Sequence, residues 1–197
     1  ARHGVFADAA LTKAIAERLA DKAQVRKARV FPYQLMVAYH QADAQIPGVV
    51  RDALQDAMEA ATQNVPRVNG PMYVLTDVSG SMHSPATGHR KGATSKVRCI
   101  DVAALVAASF LRTNSEAQVL PFHDKVVSCK LNPRDSVMTN ATTLASLPSG
   151  GTNCSAPLAE LNKRGAKGDL VIFVSDNESW IDGNRAAHRG TAVMEEW

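Results

Sequence analysis

The stretch MYVLTDVSGS, residues 72–81, decides the fold class of this chain. Its first half is a continuous apolar run, which is typical of a buried β-strand. Its second half, Asp77-Val78-Ser79-Gly80-Ser81, alternates one carboxylate and two hydroxyls at i, i+2 and i+4. In a loop that leaves a strand, this spacing can turn three oxygens toward one point, and hard divalent cations such as Mg²⁺ bind oxygen ligands. The motif is short, and an ordinary polar turn after a strand has the same pattern.

Two later segments supply further oxygens. The loop Ser149-Gly150-Gly151-Thr152-Asn153 exposes a hydroxyl, and Asp176 follows an apolar strand at residues 170–174. Ligands of open parallel sheets bind beyond the carboxyl ends of the strands, where Asp77 and Asp176 both lie. We therefore expect a metal site whose ligands are Asp77, Ser79, Ser81, Thr152 and Asp176, with Mg²⁺ as the first choice and Mn²⁺ or Ca²⁺ as alternatives.

Strands alternate with helices after residue 71. Further strands are predicted at 117–122 and 170–174, with an antiparallel hairpin partner at 125–129. Helices are predicted at about 95–112 and 137–147, from Pro157 onward, and at about 184–197. This alternation predicts the α/β class, with a doubly wound, mostly parallel sheet over residues 67–197.

The first 66 residues are predicted to be helical. Leu11, Ile15 and Leu19 form an apolar stripe, Pro32 suits a helix start, and a third amphipathic helix runs through residues 49–61. Residues 64–71 contain two prolines and a glycine, and are the candidate linker. The predicted domains are therefore a helical part, residues 1–66, and an α/β part, residues 67–197.

Two groups of basic residues are candidate nucleic-acid contacts. No acidic residue lies between Asp77 and Asp101, a stretch that contains Arg90, Lys91, Lys96 and Arg98. In the first predicted helix, a cationic stripe along one face is formed by Arg18, Lys22, Arg26 and Arg29. Such a stripe is an electrostatic footprint for nucleic acid, although a solvated helix face has the same pattern. The net charge of +3 does not by itself imply nucleic acid.

Cysteine usage and hydropathy bear on location. The three cysteines are widely spaced and include no C-x-x-C pair, which favours reduced thiols over disulfides or a zinc site. No apolar run approaches the roughly 20 residues of a membrane-spanning helix. We therefore expect a cytoplasmic protein that does not interact with membranes.

The oxygen-bearing positions resemble the metal-ion-dependent adhesion site of von Willebrand factor A domains, whose pattern is D-x-S-x-S, a later Thr and an Asp after a further strand. The preceding helices, with ARVFPYQL at 28–35 and the direct run into DVSGSM at 77–82, look like the bacterial Ro proteins, relatives of the Ro autoantigen. The resemblance implies HEAT-like helical repeats (a TROVE module) closed by a von Willebrand A domain. Residues 1–66 would then be the end of that module. Most of that module would be missing from the chain, and such A domains have two more strands after the metal-binding Asp. We therefore expect the chain to be a fragment of a longer protein at both ends.

The resemblance also implies a function. Ro proteins are noncoding-RNA-binding scaffolds in RNA quality control, so the expected partners are Y-type RNA, single-stranded 3′ ends of misfolded RNA and an exoribonuclease, for a monomeric protein that is not an enzyme. The alternative is a protein-binding or adhesion A domain, in which the ion takes a partner's carboxylate. A hydrolase is a third class, but G-x-S-x-G is absent and Asp77 lacks a second Asp at i+2.

Overall fold

The computed structural model describes residues 4–42, 46–88, 96–176 and 179. The helices in these ranges are α1 (Ala9–Ala20), α2 (Lys22–Ala28), α3 (Pro32–Gln41), α4 (Gly48–Ala61), α5 (Cys99–Thr113), α6 (Val137–Ala145) and α7 (Ala156–Lys163). The strands are β1 (Met72–Asp77), β2 (Ala117–Phe122) and β3 (Leu170–Val174). The helix predicted near 184–197 lies outside the described residues. No helix in the described ranges is long and apolar enough to span a membrane.

The three strands form one parallel sheet in the order β2-β1-β3. The chain runs from β1 through α5 to β2, and then through α6 and α7 to β3 on the other side of β1. β1 is therefore the central strand, at the point where the strand order reverses, and ligands of open α/β sheets bind in the crevice at that point. The predicted α/β class with preceding helices is confirmed.

Both faces of the sheet are covered, which explains why β1 is apolar up to its last two residues. On one face, Val74 packs in a cluster with Leu105 of α5 and with Met58 of α4. On the other face, Leu75 packs in a cluster with Leu158 of α7. Side chains of a strand alternate between the two faces, so a strand buried on both has no polar side.

The helical part is fastened to the α/β part by polar contacts as well as by the shared cluster. The carboxylate of Glu59 in α4 accepts a hydrogen bond from the main-chain N–H of Val137, at 2.6 Å, at the start of α6. The side chain of Asn114 accepts a hydrogen bond from Val68 N at 2.8 Å and donates one to Pro66 O at 3.3 Å. The candidate linker at 64–71 is thus bonded to the end of α5, while the domain boundary at 66/67 stays a prediction.

The prediction that residues 125–129 form an antiparallel strand beside β2 is wrong. This segment meets β2 only in a single bridge, Phe122 with Val126, and in a hydrogen bond from Val127 N to Pro121 O at 2.8 Å. Pro121 has no N–H with which to return that bond, so the ladder is weakened at its second step. The hairpin therefore does not extend into a fourth strand in the described part of the chain.

The cationic stripe predicted on one helix is also wrong in its geometry, because two helices carry it. The carboxylate of Asp21 accepts hydrogen bonds from the N–H groups of Ala23, at 2.8 Å, and Gln24, at 3.2 Å, so that it caps α2. An N-cap residue has extended backbone and cannot lie inside a continuous helix. Arg18 consequently belongs to α1, while Lys22 and Arg26 belong to α2.

The buried face of α1 is displaced from the predicted apolar stripe. Leu11 is 46% exposed, whereas Thr12 and Ala16 are buried. The Thr12 hydroxyl donates to the main-chain carbonyl of Asp8 at 2.8 Å, which lets a polar residue occupy a buried helical position.

Candidate metal centre

The motif that follows β1 is buried and tightly bonded. Asp77 and Ser79 both have 0% exposure. Asp77 Oδ1 accepts a hydrogen bond from Ser79 N at 2.8 Å, which folds the loop back over the carboxylate. The hydroxyl oxygens of Ser79 and Ser81 lie 3.2 Å apart. The alternation in the sequence therefore brings the three predicted oxygen-bearing residues into one short turn.

The loop that carries Thr152 is held against this turn. Gly80 N donates to Gly150 O at 2.9 Å, and Asn153 N donates to His123 O at 2.9 Å. A Cβ atom on Gly150 would lie 2.6 Å from His123 Nδ1, so any larger residue at that position would force the His123 side chain or the loop to shift. Thr152 is 2% exposed, and it follows Gly150, whose carbonyl bonds Gly80, by two residues.

The third loop, after β3, is joined to the motif by a residue that the sequence analysis missed. The Ser175 hydroxyl donates to Asp77 Oδ2 at 2.7 Å, and Asp176 is the next residue along the chain. The strand register explains this contact, since Thr76 pairs with Val174 and the next residues on the two strands, Asp77 and Ser175, therefore lie at the same level. The sequence alone does not give that register.

Asp176 also faces the start of α5. Burial, and then the negative charge of Asp176, raise the pKa of the Cys99 thiol above its ordinary value. Both effects disfavour a thiolate, which carries the same charge as the carboxylate. The loops after β1 and β3 and the loop before α7 thus meet at one edge of the sheet, beside the N-terminus of α5.

The residue types at this edge fit a hard divalent cation. They comprise two carboxylates and three hydroxyls, and Mg²⁺ commonly takes one or two carboxylates and completes its shell with water. Each oxygen of Asp77 accepts a hydrogen bond and, as a carboxylate oxygen, has room for a further interaction. Among the described residues no lysine or arginine forms an ion pair with Asp77. A fully buried carboxylate needs compensating charge, and a bound cation would supply it.

Of the four basic residues predicted after the motif, the structure describes two, Lys96 and Arg98, and Arg98 is paired. Arg90 and Lys91 lie outside the described residues, and Lys96 is exposed. Arg98 Nη2 is 2.7 Å from Asp101 Oδ1, and Arg98 Nη1 is 3.0 Å from His83 Nδ1. Arg98 also pairs with Pro85 in an isolated antiparallel β-bridge.

The ion pair of Arg98 and Asp101 shifts the pKa of both groups. Burial alone would raise the pKa of the Asp101 carboxyl, but hydrogen bonds from Arg98 and its positive charge outweigh burial and hold that pKa below its ordinary value. The hydrogen bond to Asp101 raises the pKa of Arg98. The charge of Arg98 is therefore paired with that of Asp101, unlike the charges of the exposed cations of α2.

Those cations line one recess of the surface. Its volume is about 610 Å³, and its lining comprises Lys22, Ala23, Arg26, Lys27, Arg29 and Gln63. Arg29 follows α2 in the left-handed conformation, with a φ of 51°. The sequence analysis missed Lys27 and Gln63, because it expected one continuous helix instead of a helix that ends at Ala28.

The fold and this site together define a class of protein. An open parallel sheet whose central strand ends in D-x-S-x-S, with a Thr loop and a carboxylate loop beside it, is a von Willebrand factor A domain. The family profile of the Ro60 vWA domain matches residues 72–189, more than half of the chain. The chain belongs to the Ro60 vWA domain family, and the resemblance to Ro proteins is confirmed.

Relatives match the helical part as well as the A domain. The RNA-binding protein RO60 of Deinococcus radiodurans is 29% identical over 184 residues, which cover 88% of this chain and 34% of that protein. The RNA-binding protein RO60 of Caenorhabditis elegans is 24% identical over 176 residues, 84% of this chain and 26% of that protein. The crystal structure of the D. radiodurans RO (RSR) protein superposes with a TM-score of 0.71 at 26% identity, over 88% of this chain and 36% of that one. The chain thus spans about a third or less of the length of these relatives.

Proposed function

We propose that this chain is part of a noncoding-RNA-binding scaffold of the Ro type. The observation that carries the proposal is the match over 88% of the chain, helices and A domain together, to a protein named for RNA binding. A match confined to the A domain would have left the adhesion alternative equally open. Y-type RNA and the single-stranded 3′ ends of misfolded RNA are the proposed ligands. The proposed setting is RNA quality control in the cytoplasm, with an exoribonuclease as partner.

The recess on α2 is the proposed RNA surface of the described residues. Lys22, Arg26 and Arg29 are exposed and, in the described ranges, take part in no ion pair. Unpaired cations neutralise phosphates and release counterions, which gives affinity that falls with salt and depends little on sequence. Arg18 and Lys96, also exposed, are secondary candidates.

We further propose that Asp77, Ser79, Ser81, Thr152 and Asp176 hold a divalent cation, with Mg²⁺ as the first choice. The ion would supply positive charge at the sheet edge and a position for an anionic oxygen of a ligand. In this proposal, Ser175 orients the Asp77 carboxylate, and the hydrogen bond between Gly80 and Gly150 fixes the distance between two of the loops. The site is proposed to bind a ligand and not to catalyse a reaction, and the protein is proposed to be monomeric.

RNA binding is tested by filter binding of a 3′-tailed single strand and of a Y-type hairpin at several salt concentrations. The variant Lys22→Gln/Arg26→Gln/Arg29→Gln should bind both RNAs more weakly. Each lost phosphate contact should lower the log–log salt slope by about 0.7 for a single strand. The control is Lys13→Gln, an exposed lysine of α1 that lies 3.8 Å from Glu17. Equal slopes for the triple variant and the control would remove α2 from the RNA surface.

The metal site is tested by calorimetric titration with Mg²⁺ and Mn²⁺. Asp77→Ala should abolish detectable binding, because it removes the buried carboxylate around which the three loops meet. The matched control is Asp124→Ala, since this exposed carboxylate lies beside Gly150 but outside the motif. Wild-type affinity in Asp77→Ala would refute the assignment, and circular dichroism of each variant would show whether the fold is kept.

A further inference from the structure

The outer edge of β2 carries main-chain groups that have no partner in the described part of the chain. Met72 N donates to Glu116 O at 3.4 Å and Val78 N donates to Phe122 O at 2.8 Å, so the even-numbered residues of β2 face β1. The odd-numbered residues therefore direct their N–H and C=O groups outward. Pro121 O accepts from Val127 N there, but neither main-chain group of Val119 is bonded within the described ranges. Unpaired main-chain groups on an edge strand are a template for pairing with another chain.

A groove lies along this edge. Its volume is about 650 Å³, and its walls come from β2, from residues 125–129 and from α7. The groove exists because the hairpin does not close beyond Val127, where Pro121 cannot donate. Val119 and Val126 line its walls, so an extended chain entering it would meet apolar surface as well as the free main-chain groups of Val119.

The charge of the groove is positive. Lys125 and Lys163 line it, and in the described ranges neither takes part in an ion pair. The acidic lining residue, Glu160, is paired with Arg164 at 2.8 Å. An acidic partner would therefore complement the groove.

We propose that this groove binds an extended acidic peptide segment of a partner protein. The segment pairs its main chain with Val119, as in the addition of a strand to a sheet edge, and places carboxylates near Lys125 and Lys163. The donor–acceptor pair of a peptide group matches the C=O and N–H of Val119, which favours a peptide over a nucleic acid. We call the edge of the sheet with the proposed ligands Asp77, Ser79, Ser81, Thr152 and Asp176 the metal edge. The groove is a surface other than the metal edge and the α2 recess, so the inference does not depend on the proposed RNA function.

The test uses the 197-residue chain and a blocked, fluorescein-labelled heptapeptide of sequence Thr-Glu-Val-Glu-Val-Glu-Thr, followed by fluorescence anisotropy. Lys125→Glu and Lys163→Glu should each weaken binding about three- to fivefold, as expected for surface ion pairs. The matched control is Lys167→Glu, because this exposed lysine follows α7 but does not line the groove. Hydrogen exchange should show protection of the segment at 117–121 when the peptide is bound.

Three further measurements distinguish main-chain pairing in the groove from binding at another surface of the chain. Methylating alternate peptide nitrogens should reduce binding by at least about tenfold if main-chain pairing with Val119 is used. The affinity should be the same in EDTA and in Mg²⁺, whereas dependence on Mg²⁺ would place the peptide at the metal edge. The proposal would be overturned if binding did not respond to methylation, or if it did not respond to either lysine substitution. It would also be overturned if the heptapeptide did not bind while oligouridylate did, and if both lysine substitutions abolished the oligouridylate binding.

Discussion

The metal edge and the α2 recess are both rich in polar side chains, but they differ in how those side chains are held. At the metal edge, Asp77 and Ser79 are fully buried, and hydrogen bonds from neighbouring loops fix their positions. In the α2 recess, Lys22 and Arg26 are exposed and, in the described ranges, unpaired. Burying a carboxylate is costly unless a positive charge compensates it, so the burial of Asp77 fits the proposed cation. Exposed charge costs little, and by itself indicates only an electrostatic preference.

The largest expected effect tests whether the helical part, which carries the α2 recess, and the α/β part, which carries the metal edge, unfold as one unit. Met58→Ala removes a side chain with 0% exposure from the cluster that α4 shares with β1 and α5. We expect a loss of about 2–5 kcal/mol in the free energy of unfolding, measured by chemical denaturation. The control in the same helix is Val49→Ala, because Val49 is 49% exposed. Two separate transitions in place of one would break the comparison, since the helical and α/β parts would then be independent.

A second prediction concerns the close approach of the loops at the metal edge. Gly150→Ala places a Cβ atom 2.6 Å from His123 Nδ1 and 3.0 Å from Asp124 Oδ2. We expect a cost of about 1–3 kcal/mol in stability, as in overpacked sites, and weaker binding of Mn²⁺ in calorimetry. Gly48→Ala is the control, because a Cβ atom there meets nothing within 4 Å. Unchanged Mn²⁺ affinity in Gly150→Ala would show that the spacing of the loops does not matter for the site.

The ion pair beside the metal edge should show a smaller effect that depends on pH. Because the pKa of Asp101 in the folded protein lies below its value in the unfolded chain, about 3.9, the pair stabilises the fold above that value. This stability is lost as the pH falls through the pKa of the folded state. Asp101→Asn should therefore cost about 1 kcal/mol at pH 7, where a charge pair and a helix cap are both weakened. The difference in stability between wild type and Asp101→Asn, measured from denaturation curves, should be largest at pH 7 and shrink as the pH falls toward the pKa of the folded state. A difference that stays constant with pH would contradict the ion-pair interpretation.

The smallest expected effect sharpens the comparison between matched and free charges. Arg26→Gln should weaken binding of a single-stranded RNA about two- to fivefold in filter assays, because one phosphate contact is lost. Arg98→Gln should change RNA affinity less, because Arg98 is already paired with Asp101 at 2.7 Å. The reverse order would assign the RNA surface to the region around Arg98.

Most of the candidate site could be predicted from the sequence because its geometry is local or follows from strand ends. The buried run at 72–76 predicts the central strand, and the alternation of Asp77, Ser79 and Ser81 predicts a turn of converging oxygens. Ser175 was missed because its role depends on the register between β1 and β3, which joins residues 98 positions apart in the chain. The sequence analysis predicted a strand at 125–129 from the apolar residues after β2, and it did not consider that Pro121 has no N–H for the ladder.

By itself, the sequence determined the α/β class, the positions of the three strands β1, β2 and β3 and the residue types at the metal edge, since hydrophobic period and motif spacing act over short distances. Tertiary structure decided that Arg98 also meets His83, 15 positions away in the chain, and that Lys22 and Arg26 stay unpaired among the described residues. The Arg98–Asp101 pair and the break between α1 and α2 are local, since Arg98 and Asp21 bond residues two or three positions away, and the sequence analysis overlooked them. The open edge of β2 was again decided by tertiary structure. The physical reason is that long-range pairing and ladder closure depend on where a group's partner lies in space, and a linear pattern does not specify that position.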